Sequence, residues 1–196
     1  KNNTFYKNHN SLKEKSVFGS LYFDCNNTIT FKKIDKNLIV YGNKTENEQL
    51  FSQLEKYKNI KFYKQNPTIR LSTFYSNDTY VIYSVFIINS DAKDDGGYIY
   101  NYKQKNFSDA MQFGNWVSEA KQRSIINTPV TAEFNNSILT LVTDSEEFEG
   151  AKLVVMARKL VENEIINTDD ATISKSPRYP KIWYTNRGID YPFENN

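Results

Sequence analysis

Ser137-Ile138-Leu139-Thr140-Leu141-Val142-Thr143 and, after a short acidic loop, Lys152-Leu153-Val154-Val155-Met156-Ala157-Arg158-Lys159-Leu160 decide the fold. Both runs are rich in β-branched and aliphatic residues, which favours strands, and the loop between them makes them neighbours in one sheet. Working outward, the same composition recurs at residues 18–24, 28–33, 37–41, 69–75, 79–88, 98–102 and 130–134. Asn, Asp and Gly separate these runs. Ser76-Asn77-Asp78 and Asn135-Asn136 read as hairpin turns, because short polar side chains and positive φ suit Asn and Asp there.

Two stretches change period. Leu50, Phe51, Leu54 and Tyr57 fall on one face of a helix over residues 45–57, with Thr45 and Glu48 as a capping box. Phe113, Trp116, Val117 and Ala120 make the apolar stripe of a second helix over residues 108–123, capped by Ser108 or Asp109. The expected class is mainly β (α+β): a closed eight-stranded barrel decorated by an N-terminal arm or helix and at least two helices. Closure would hide the sheet edges. The expected organisation is an arm at 1–17, the barrel domain at 18–160 and an irregular C-terminal extension at 161–196, packed on the barrel.

At 196 residues the chain suits one domain with a real core. Twenty-five basic against 23 acidic residues leave a charge of +2, which is no signature of a nucleic-acid binder. One cysteine excludes an internal disulfide and a Cys-built zinc site, and one histidine excludes a multi-His site. No metal and no cofactor are therefore expected. The longest apolar run, residues 81–88, is far short of the about 20 residues of a membrane span. The chain starts at Lys1 with no charged-then-apolar leader, so any membrane anchor is expected to lie outside it.

Three groups of residues invite chemistry. Cys25 and His9 are the only thiol and imidazole, but one sits in an Asp/Asn turn and the other in the arm, which favours incidental roles. Asp144, Glu146, Glu147 and Glu149 lack the glycine turn and spacing of a calcium loop and read as a solvated acidic loop. Lys175, Arg178, Tyr179, Lys181, Trp183, Tyr184 and Arg187 interleave base and aromatic as single-strand binders do. Near-neutral charge favours packing of this tail on the domain instead.

In order along the chain, several segments resemble the class B sortases, surface transpeptidases of Gram-positive bacteria. Phe18-Gly19-Ser20-Leu21-Tyr22-Phe23-Asp24 is similar to the family's first barrel strand, and Asn37-Leu38-Ile39-Val40-Tyr41-Gly42 to the strand leading into its Tyr-Gly-His. Leu50-Phe51-Ser52-Gln53-Leu54, with Tyr57 and Phe62-Tyr63, resembles the helix that follows, and Lys121-Gln122-Arg123-Ser124 the end of the crossover helix. Leu139-Thr140-Leu141-Val142-Thr143 resembles the strand ending in Thr-Cys, and Lys152-Leu153-Val154-Val155 the strand opening with the catalytic Arg. Residues 176–184 resemble an extension of some clostridial-type members.

The resemblance implies a thiolate that attacks the Thr carbonyl of a sorting motif, a histidine that protonates the leaving amine and an arginine that steadies the oxyanion. Position by position, the histidine falls on Asn43, the cysteine on Asp144 and the arginine on Lys152, while Val142 replaces a small polar residue. A carboxylate is a weak nucleophile toward an amide, an amide side chain has no titratable nitrogen, and an ammonium lacks the guanidinium fork. Arg158 shares the face of Lys152 but lies about 20 Å along the strand. No catalytic residue is thus expected intact, and Asp144 and Lys152 are expected to neutralise each other. Val142, Thr143 and Ser145 are the candidates for lining a substrate groove.

The reading that follows is a catalytically inactive sortase-like cell-surface protein, a monomer that binds a peptide or a surface or pilus protein carrying a sorting-like segment. It binds no nucleic acid and meets the membrane only through an anchor, on the extracellular face of a Gram-positive cell. The alternative is a genuine cysteine transpeptidase that anchors proteins to the cell wall, here in an inactivated form. A third reading is an unrelated β-barrel interaction domain.

Overall fold

The computed structural model describes residues 2–45 and 49–193. Its centre is a curled six-stranded sheet in the order β1-β2-β6-β7-β4-β3: β1 (Tyr22–Phe23), β2 (Asn37–Tyr41), β3 (Thr68–Ser72), β4 (Asn77–Asn89), β6 (Ile138–Asp144) and β7 (Ala151–Lys159). Two further strands, β5 (Ile126–Asn127) and β8 (Thr172–Ile173), form a separate antiparallel pair. The two decisive runs are indeed an antiparallel hairpin, with Leu141 opposite Val155 and Asp144 opposite Lys152. Parallel β2 sets Tyr41 beside Val142 on the other side of β6.

Period-2 alternation sorts the side chains of these strands into two clusters. One face carries Leu38, Val40, Val85, Leu139, Leu141, Leu153 and Val155. It is covered by a 3-10 segment, Ser52–Lys58, by α1 (Ile60–Gln65), and by Ile182 and Trp183 of the tail. The other face carries Ile39, Phe86, Ile138, Val142, Val154 and Met156, and packs against α2 (Ala110–Arg123) and Tyr100 and Tyr102. Asp109 caps α2 by accepting from the Gln112 N–H, and Phe113, Trp116, Val117 and Ala120 form its buried stripe. Burial on both faces explains why β4, β6 and β7 are apolar almost throughout.

The closed eight-stranded barrel is corrected to this open half-barrel, whose edges are β1 and β3. Three expected strands are absent. Residues 28–33 form a polar loop, closed by a single bridge between Ile29 and Ile34 and by the Thr28 N–H bond to Asp35. Residues 98–102 and 130–134 are irregular because side chains satisfy their carbonyls in place of a partner strand. Asn37 Nδ2 donates to Tyr102 O and Gln104 O, and Trp116 Nε1 to Asn101 O. Lys121 Nζ and Arg158 Nε do the same for Val130 O and Thr131 O.

Smaller differences are local. Only Tyr22 and Phe23 of residues 18–24 pair, and the 45–57 helix is the 3-10 segment Ser52–Lys58. Glu48 of the capping box lies outside the described residues. The β3–β4 turn falls at residues 73–76, where Thr73 N–H donates to Ser76 O, so Asn77 and Asp78 already belong to β4. Asn136 does close a turn onto Glu133, but not between two strands. The tail folds its last turn as α3 (Lys181–Thr185). Among the described residues no helix is long and apolar enough to cross a membrane, and no group of His, Cys, Asp and Glu is placed to hold a metal ion.

Candidate functional site

At the ends of β2 and β6 and the start of β7 the sheet opens into a cavity of about 400 Å3. Asn43, Asp144 and Lys152, far apart in sequence, all line it, together with Tyr22, Tyr41, Tyr102, Val142 and Thr143. The sheet register explains the convergence: β2 runs parallel to β6, and Asp144 and Lys152 are cross-strand partners of the β6–β7 hairpin. Both side chains lie on the face of Val142 and Val154, toward α2.

Asp144 and Lys152 form an ion pair, as their spacing across the loop predicts. Asp144 is 60% exposed and Lys152 27%, so the pair sits at the cavity mouth rather than beneath it. The Asn43 amide bonds to neither of them. Its Nδ2 donates to Lys7 O at 2.8 Å and to Phe18 O at 3.0 Å, pinning the N-terminal arm to the end of β2. Gly42 beside it has no room for a side chain, because a Cβ would come within 2.4 Å of Leu21 and 2.8 Å of Phe51. Gly19, at φ +64°, packs its α-carbon so closely on the arm that a Cβ would lie 2.5 Å from Lys7 O. Ser20 N–H adds a bond to Tyr6 O.

Tyrosines line the cavity. Burial, and then the negative charges of Asp144 and Asp24, push the Tyr22 hydroxyl up to about 12. Burial likewise pushes Tyr102 up to about 12 and raises Tyr41 further. All three therefore remain neutral hydroxyls at physiological pH. Tyr41 donates to Asp24 Oδ2 at 3.1 Å, and Asn3 Nδ2 donates to the same oxygen at 2.9 Å. Burial opposes the Asp24 charge, but these bonds and the Asn26 N–H outweigh it and hold the carboxyl below its usual range.

Of the groove candidates, Val142 and Thr143 line the cavity and Ser145 does not. Ser145 is 8% exposed, with its Oγ 3.4 Å from Lys58 Nζ near the other face of the sheet. Cys25 and His9 also lie elsewhere: neither lines the cavity. The Cys25 N–H donates to Asn3 Oδ1, while the His9 ring stacks on Phe5 with centroids 4.0 Å apart. Arg158 is taken by Glu164 and by Thr131 O.

Sequence reasoning missed one polar centre. Glu147, read as part of a solvated acidic loop, accepts from Lys58 Nζ at 2.9 Å, Arg187 Nη2 at 3.0 Å and Trp183 Nε1 at 3.2 Å. Arg187 also lies over the Trp183 ring, 4.0 Å from its centroid. Burial opposes the Glu147 charge, but Lys58, Trp183 and Arg187 prevail and lower its pKa. The basic, aromatic tail thus clamps the loop that joins Asp144 to Lys152. The opposite charges of loop and tail were the available signal.

No family model matches the sequence. Among curated proteins, the chain is 28% identical over 160 residues to sortase B of Listeria monocytogenes, covering 81% of this chain and 61% of that one. It therefore spans about three-fifths of the length of that relative. Among solved structures, that of Staphylococcus aureus sortase B in complex with substrate superposes with a TM-score of 0.70 at 25% identity, over 83% of this chain and 71% of that one. Sortase B of Clostridium perfringens matches with a TM-score of 0.70 at 31% identity, over 82% of this chain and 83% of that one. With identity at that level over most of both chains, and the same fold, this chain belongs to the class B sortase family.

Proposed function

We propose that the chain is a sortase-like cell-envelope protein that holds an extended peptide segment in its cavity without acyl transfer. The observation that carries this reading is the Asp144–Lys152 ion pair at the cavity mouth, with Asn43 engaged by the arm. Asn43, Asp144 and Lys152 occupy the places of the family's histidine, cysteine and arginine. A covalent acyl intermediate needs a nucleophile and an acid–base partner. The paired carboxylate supplies no thiolate, and an amide that donates to two carbonyls takes up no proton. The only thiol and the only imidazole lie outside the cavity.

Binding needs none of these groups. The cavity offers apolar surface from Val142 and Ile88, tyrosine rings, and hydroxyl and amide groups from Tyr22, Asn3 and Asn101. Such a mixture suits a peptide, whose backbone needs polar partners and whose side chains need apolar ones. Kinship with sortases of Gram-positive bacteria supports a position at the cell envelope, facing outward, with surface or pilus proteins as partners.

The test is incubation with sorting-motif peptides and a triglycine acceptor, followed by mass spectrometry, beside a binding titration of the same peptides. Saturable binding with no acyl-protein adduct and no transpeptidation product is expected. Product formed with turnover would overturn the reading.

A further inference from the structure

Three lysines and one aspartate are the charged side chains among the residues lining the cavity: Lys7, Lys103, Lys152 and Asp144. Asp144 neutralises Lys152. Among the described residues neither Lys7 nor Lys103 has an acidic ion-pair partner, so two exposed, unpaired lysines stand in the lining. The buried carboxylate Asp24, bonded by Asn3, Tyr41 and the Asn26 N–H, keeps its negative charge behind the lining, so Lys7, Lys103, Lys152, Asp144 and Asp24 together leave the site positive by one charge.

Lys7 ends a 3-10 turn, Phe5–Lys7, and Lys103 lies on irregular backbone, and asparagine side chains hold both in place. Asn43 Nδ2 donates to the carbonyl of Lys7 itself, and Gly19 packs against that carbonyl. On the other side, Asn37 Nδ2 donates at 2.9 Å to both Tyr102 O and Gln104 O, so it clamps the residues before and after Lys103. Asn37 is fully buried. The Lys103 ammonium rests 5.5 Å from the centroid of the Tyr102 ring, itself part of the lining. Positive charge held on fixed backbone loses less order on binding than charge on a free loop.

We infer that the cavity selects an acidic peptide segment, whose aspartate or glutamate side chains are met by Lys7 and Lys103 beside the neutralised Asp144–Lys152 pair. The inference rests on the peptide-binding reading above and specifies the ligand's chemistry. It also gives Asn43 a positioning role, holding the backbone of Lys7.

Fluorescence-anisotropy titrations of matched labelled peptides test it: one sorting-type sequence with two glutamates, and the same sequence with glutamines. The acidic peptide is expected to bind about fivefold tighter at low salt, the scale of two exposed charge pairs. The advantage should shrink as salt screens it, vanish in a K7Q/K103Q variant, and survive in a control variant, K32Q/K33Q, whose lysines lie outside the cavity. Thermal denaturation of the variants checks that the fold is kept. Equal affinity for both peptides, or a preference that persists in K7Q/K103Q, would overturn the inference and leave peptide binding standing. Absence of binding to either peptide would overturn both.

Discussion

The four central strands and the irregular segments laid over their α2 face keep their backbones in opposite ways. In β2, β6, β7 and β4 each strand satisfies its neighbour, and Ile39, Leu139, Leu153, Val154 and Val155 are fully buried. Residues 98–107 and 130–136 pair in no ladder; apart from the Asn37 N–H on Lys105 O, side chains from elsewhere take several of their carbonyls: Asn37, Trp116, Lys121 and Arg158. The centre is held by a strand ladder and apolar contacts on both faces, whereas the cover adds to the apolar contacts of Tyr100, Tyr102 and Val130 a few polar bonds in place of a ladder. This difference bears on function, because the cavity lies on the seam. Asp144 and Lys152 come from the centre, whereas Asn101, Tyr102 and Lys103 come from the cover.

The contrast breaks most severely at the centre. Leu153 lies in β7 between β6 and β4. Truncation to Ala removes buried contacts and leaves a cavity, so urea denaturation should show a loss of about 3–4 kcal/mol. Hydrogen exchange should accelerate across the whole sheet. The cover should respond to a single polar change instead. Asn37→Ala frees Tyr102 O, Gln104 O and the Thr140 hydroxyl, which donates to Asn37 Oδ1 at 2.7 Å. A loss of about 2 kcal/mol is expected, the scale of buried polar groups left unpaired. Asn37→Leu, which keeps the volume, should not restore it, and exchange should rise around residues 98–107 before it rises in β6 and β7. A uniform rise in both variants would erase the distinction between centre and cover.

The same distinction governs what the sequence makes legible. Long apolar runs announce a strand whose two neighbours are also strands, so β4, β6, β7 and the helix α2 stand near their expected limits. Residues 28–33, 98–102 and 130–134 have strand-like composition too, but the first closes on itself as a local loop, and carbonyls of the other two are met by side chains up to 98 residues away in sequence. Local composition carries no trace of such bonds, and three surplus strands made the expected barrel close. At the site, the Asp144–Lys152 pair was legible because it depends only on hairpin register. Ser145 lies one residue past the end of β6 and outside the lining, and alternation gives no warning of this, because Thr143, of the same parity, lines the cavity. The partners of Asn43, which are backbone carbonyls 36 and 25 residues earlier, could not be read from its own neighbourhood.

The finest test lies within one loop. Asp144 and Glu147 are three residues apart, and both carboxylates meet cations. Glu147 is 25% exposed and takes three donors from the 3-10 segment and the tail, whereas Asp144 is 60% exposed and among the described residues has only Lys152. Partial burial strengthens a charge-assisted bond, and solvent screens an exposed pair while its side chains still lose freedom. Glu147→Gln should therefore cost about 1 kcal/mol and loosen the tail, which limited proteolysis near Arg187 would detect. Asp144→Asn and Lys152→Gln should each change stability by less than about 0.5 kcal/mol. A double-mutant cycle should give a coupling energy of the same small size. Neutralising Lys152 is then a matter of the field inside the cavity rather than of folding. Asp144→Asn should leave the fold intact while making Lys152 a third unpaired lysine beside Lys7 and Lys103. A coupling energy above about 1 kcal/mol would make the pair a structural strut and remove the reason for treating its charge balance as a property of the binding site.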